Sequence, residues 1–170
     1  RTALGVMFVP VVVACERLGL LPEQDWDALI ELLGQCVMAW GVADPAEKNP
    51  AKQLALALQG KVSVLYGLGG WQAAVANRWK GQINENAKNM AFANAFPELN
   101  HNEILGWVKA DGQGVQRWVA VVLEDGSESA KMKARWRVTA NLIGGMAETY
   151  GAEAEGSTLL QRMLSLTLLG

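Results

Sequence analysis

KVSVLYGLGGWQAAVANRWK, residues 61–80, decides the fold. Lys61 to Tyr66 is a short run of β-forming residues. It closes on Gly67-Leu68-Gly69-Gly70, and a helical pattern runs from Trp71 to about Lys88, with Gly81 as the place where it would break. A strand, a glycine turn and a helix open a βα unit. A glycine turn feeding a helix start can also bind phosphate through free backbone N–H groups. The dinucleotide fingerprint is incomplete, however, because its third glycine would fall at Gln72, and no Walker lysine follows. The competing reading is a tight turn that lets two backbone segments approach closely.

The alternation continues downstream. Met90 to Phe96, Arg117 to Leu123 and Glu148 to Glu155 read as strands. Glu103 to Val108, Glu128 to Gly144 and Ser157 to Leu169 read as helices. Strands alternating with helices predict an α/β fold: a three-layer αβα sandwich around a mostly parallel sheet, with right-handed crossovers. Upstream the period is helical throughout. Arg1 to Gly19 is mostly apolar, Pro22 to Gly41 carries apolar residues at helical spacing behind Pro22, Glu23, Asp25 and Asp27, and Ala51 to Gln59 follows Pro50. The expected organisation is one domain, with residues 1–60 as a helical lead-in and 61–170 as the α/β core. Ligands in such folds sit beyond the carboxyl ends of the strands, so the turns after Tyr66, Phe96 and Leu123 are the first places to look.

About half of the residues are apolar and the formal net charge is -2. That balance suggests neither a nucleic-acid partner nor a membrane surface. The apolar run Leu4 to Cys15 is interrupted by Pro10 and closed by Glu16 and Arg17, and predicts a buried or interface helix. Cys15 and Cys36 sit in apolar helical contexts without a CxxC, as buried thiols of a reducing cytoplasm would. Arg1 begins in mid-pattern, and the apolar helix Leu159 to Gly170 stops without a polar tail, so a piece of a longer polypeptide is expected.

The chemistry concentrates in two segments. Gly81 to Lys88 reads GQINENAK and sets Glu85 between two asparagines, with Lys80 and Lys88 nearby. Sixteen positions later stands His101, the only histidine, in ELNHNEI. Asn100 and Glu103 have the spacing of a capping-box variant, which would put His101 at the first helical position. A positive helix end there would favour a neutral imidazole, able to move protons near physiological pH. On residue chemistry alone, a solvated glutamate and a structural histidine compete with a catalytic pair. No metal site is expected, since neighbours on a helix point apart and His101 and Glu103 have no evident third ligand.

NENAK and LNHNEI, with a strand and FPE between them, resemble the bifunctional phosphoglucose/phosphomannose isomerases, built from two sugar-isomerase (SIS) subdomains. RTALG at the start, the YGLGG turn, the RWK before GQINENAK and the closing LLQRMLSLTLLG extend the resemblance over the chain as a second subdomain. It implies interconversion of glucose or mannose 6-phosphate with fructose 6-phosphate through an enediolate, without cofactor or metal. It implies Glu85 as the base between C2 and C1, a task suited to a carboxyl raised by partial burial. It implies His101 as the ring-opening group, supplied across a homodimer, and Arg1 as the group that steadies the enediolate. The phosphate grip would lie in the N-terminal SIS subdomain, and a second ring-opening lysine beyond the last helix. Two other classes compete: a non-catalytic sugar-phosphate-sensing SIS module, and an interaction domain using the apolar first helix and the tryptophans.

Overall fold

The computed structural model describes residues 3–170. Its core is a four-stranded, all-parallel sheet in the order β2-β1-β3-β4, formed by β1 (Val62–Gly67), β2 (Ala91–Ala95), β3 (Trp118–Glu124) and β4 (Glu148–Glu153). The sequence explains the order. VSVLYG and WVAVVLE are apolar in nearly continuous runs, and β1 and β3 are buried at almost every position, as central strands covered on both faces must be. AFANA and ETYGAE are more polar and form the two edges.

Alternate residues of β1 point to opposite faces, and each face has its own helical layer. Val64 and Tyr66 join Leu99, Ile104 and Trp107 from α5 (Leu99–Asn102) and α6 (Ile104–Lys109), and Ile143 from α7 (Ala130–Gly144). Leu65 joins Val75, Ala76 and Trp79 of α4 (Gly70–Gln82) and Leu166 of α8 (Leu159–Leu169). The three-layer αβα sandwich is thus the observed architecture. The strands fall within two residues of their predicted ends.

Local chemistry sets the helix ends. Asp25 accepts from Ala28 N–H to start α2 (Trp26–Trp40), so that helix begins at Trp26 rather than at Pro22. Asn49 accepts from Lys52 N–H, with Pro50 in the first turn of α3 (Pro50–Leu58). Ser129 caps α7, and Thr158 with Gln161 forms a complete capping box on α8. Trp79 Nε1 donates to the Leu166 carbonyl at 2.8 Å and ties α4 to α8 inside the core.

The lead-in helices pack unevenly. Leu54 and Leu58 of α3 pack against the α4/α8 core, and α2 lies against α8. In α1 (Ala3–Arg17) Val12 is the buried residue, whereas Val6, Met7 and Val11 are exposed. The expectation of a buried helix therefore does not hold for that run. Among the described residues, no helix is long and apolar enough to cross a membrane.

Candidate active site

The glycine turn after β1 is shaped by packing. A Cβ on Gly67 would stand 2.4 Å from Ala73 N and 2.6 Å from Gln72 C, so the first turn of α4 presses directly on the end of β1. Gln72 is buried and its Nε2 donates to Glu128 Oε1 at 3.4 Å, across the crevice between β1 and β3. Glu124 and Asp125 line the same carboxyl end. Burial first, then the charges of Glu128 and Glu153, push the Glu124 carboxyl above its ordinary value. The close approach at Gly67 accounts for the glycine there and supports the tight-turn reading of Gly67-Leu68-Gly69-Gly70.

Glu85 sits at the other end of the strands. Beyond Gln82, α4 widens into one π-helical turn, Ile83–Ala87, in which Lys88 N–H reaches back to the Ile83 carbonyl. Lys88 closes the turn in the left-handed region at φ 55°, the one non-glycine residue with positive φ among those described. A π turn and a left-handed lysine are both uncommon, and such backbone is often found at functional sites. Asn84 anchors the segment to the start of β2: its Oδ1 accepts from Ala91 N–H at 2.8 Å and its Nδ2 donates to Ala91 O at 3.4 Å. Asn89 Nδ2 donates to the Lys61 carbonyl at 2.7 Å. Glu85 is exposed on this turn, so any burial of a base there has to come from surfaces outside this chain's own packing. An open groove of about 1420 Å³ runs beside the turn, with Trp40, Trp79, Gln82, Ile83, Asn86 and Lys88 among its walls.

His101 belongs to the opposite face. It is the third residue of the four-residue α5 and is exposed. The predicted capping box is absent. Glu98 precedes the helix with helical dihedrals and no side-chain cap, which leaves Asn100 and His101 inside the helix. Asn100 Nδ2 instead donates to Thr139 Oγ1 of α7 at 2.8 Å. The Glu103 carboxylate turns inward, where Oε1 accepts from Tyr66 Oη and Oε2 from Asn94 Nδ2 at 2.7 Å. The helix start expected at Asn100 is therefore not the observed one, and His101 is not the first helical residue.

Glu85 and His101 therefore stand on different sides of edge strand β2. Glu85 hangs from the α4 layer before the strand, and His101 from the α5–α6 layer after it. Arg1, the third predicted site residue, lies outside the described residues. Sequence reasoning missed the π turn, the Asn84 clamp and the buried bonding of Glu103. The NEN run was a visible signal for the clamp, because asparagine side chains readily bond local backbone.

Residues 47–170 match the family described as the bacterial phospho-glucose isomerase C-terminal SIS domain. The chain belongs to that family. The bifunctional phosphoglucose/phosphomannose isomerase of Caldicellulosiruptor bescii is 35% identical over 173 residues, which cover 100% of this chain and 51% of that protein. The enzyme of the same name from Aquifex aeolicus is 32% identical over 72% of this SIS-domain chain and 38% of its own length. The chain thus spans about half or less of these relatives. The crystal structure of a glucose-6-phosphate isomerase like protein from Thermus thermophilus superposes with a TM-score of 0.60 at 18% identity, over 82% of this chain and 46% of that one, a likeness of fold.

Proposed function

We propose that this chain is the C-terminal SIS unit of a two-subdomain enzyme, a homodimer that interconverts glucose 6-phosphate, and mannose 6-phosphate, with fructose 6-phosphate. The observation that carries the reading is the family match joined to the π turn: the segment NENAK bears both the expected base and the uncommon backbone. Glu85 moves the proton between C2 and C1 of the open-chain sugar, His101 assists ring opening, and Arg1 steadies the enediolate. The reaction needs no cofactor and no metal. The N-terminal subdomain grips the phosphate and covers the apolar outer face of α1 around Val6, Met7 and Val11. Residues 1–60 act as the helical lead-in to the 61–170 core. The enzyme works in the cytoplasm, in glycolysis and gluconeogenesis.

The geometry favours a site shared between subunits. Within one chain β2 stands between Glu85 and His101, whereas a second copy can bring its own His101 to the Glu85 side. Glu85→Gln in the full-length protein tests the chemical reading. Turnover should fall by about 10²- to 10⁴-fold with both aldose phosphates in parallel, the range of a positioned base. Retained activity, or loss with one epimer alone, would defeat the assignment of one shared base.

A further inference from the structure

A buried hydrogen-bonded chain meets the end of the helix that carries the proposed ring-opening histidine. Trp107 Nε1 donates to Tyr66 Oη at 2.6 Å, Tyr66 Oη donates to Glu103 Oε1, and Asn94 Nδ2 donates to Glu103 Oε2 at 2.7 Å. Its members come from β1, β2, the α5–α6 junction and α6. Tyr66 and Trp107 are buried and Glu103 is half-buried. Burial, followed by the charge of Glu103 and its hydrogen bond, pushes the Tyr66 hydroxyl above its ordinary range, so it remains a donor.

A carboxylate is a costly way to hold a helix against a sheet, since an apolar contact of the same shape would pack as well. What the carboxylate adds is direction, because two donors from two different strands fix its orientation. Leu99 in the core and Asn100 on Thr139 anchor the front of α5, and Glu103 sets its far end. Glu103 has φ -128°, which interrupts the helical path between α5 and α6. α5 is only four residues long, too short to hold its own geometry. A cavity of about 360 Å³ lies alongside, walled by Phe92, Glu103, Gly106, Trp107 and Trp118, so the junction has room to shift once released.

We propose that Glu103, held by Tyr66 and Asn94, is a positioning residue that fixes the angle at which α5 presents His101. The proposal rests on the ring-opening role of His101. A double-mutant cycle in the full-length enzyme, with fructose 6-phosphate as substrate, separates the two claims. Glu103→Gln keeps the shape but replaces one of the two accepting oxygens with an amide donor that faces another donor. It should lower kcat/KM by about tenfold when His101 is present, and by less than about twofold in a His101→Asn background. An equal loss in both backgrounds would make the network merely structural and overturn the proposal, while the role of His101 would stand. Wild-type activity in His101→Asn alone would overturn both. Should Glu103→Gln fail to fold, Tyr66→Phe removes one of the two donors that orient the carboxylate, and its cycle must show the same dependence on His101.

Discussion

Gly67→Ala is the sharpest perturbation of the fold itself. The added Cβ would lie 2.4 Å from Ala73 N, 2.6 Å from Gln72 C and 2.7 Å from Ala73 Cα, against an ordinary contact that begins at 3.4 Å. All three are backbone atoms, so no side-chain rotation relieves the clash, and the start of α4 must retreat by about 1 Å. It cannot do so freely. Val75, Ala76 and Trp79 are buried against the sheet, and Trp79 is bonded to Leu166 across to α8. Overpacking of this kind costs about 1–3 kcal/mol, and three rigid neighbours place this site at the upper end. For a chain of this size the midpoint of thermal unfolding should fall by about 6–12 °C. In urea the midpoint should drop with an unchanged m value. Gly70→Ala is the internal control: nothing lies within 4 Å of its Cβ, and the first turn of α4 should tolerate or gain from the change. A Gly67→Ala chain within about 0.5 kcal/mol of wild type would refute the close approach.

Two further outcomes follow from the same structure. Glu124 has a folded-state pKa raised above 4.5, so its contribution to stability is present below that value and is lost as pH rises through the raised folded value. Glu124→Gln should therefore raise the thermal midpoint near neutral pH, with the gain vanishing below about pH 4.5; a loss at neutral pH, or a gain independent of pH, would contradict this. On the proposal that another subdomain grips the phosphate, the isolated chain should not turn over fructose 6-phosphate in a coupled assay, and measurable turnover would show that the grip lies within residues 1–170.

The sheet was legible because its signal is local. β1 and β3 are apolar runs bounded by turn residues, and their burial on both faces follows directly from that pattern. The site was legible only as a set of residues. Asn100 and Glu103 have cap spacing, but their partners, Thr139 and the Tyr66–Asn94 pair, come from distant parts of the chain and leave no mark on the local pattern. The π turn escaped for a different reason: hydrogen bonding to the fifth residue back instead of the fourth changes no composition. The carboxyl-end rule for ligand sites also pointed away from Glu85, which lies before β2 on the opposite edge. There the rule met a crevice lined by Glu124, Asp125 and Glu128 in this subdomain.

The most direct test of the shared site is subunit mixing in the full-length enzyme. Glu85→Gln and His101→Asn should each be nearly inactive alone. Unfolded together and re-associated, about half of the dimers should be mixed, and each mixed dimer rebuilds one intact site from Glu85 of one subunit and His101 of the other. Activity should recover to about a quarter of wild type. No recovery, with mixed dimers demonstrated in the sample, would contradict it and place both residues of each site on the same subunit.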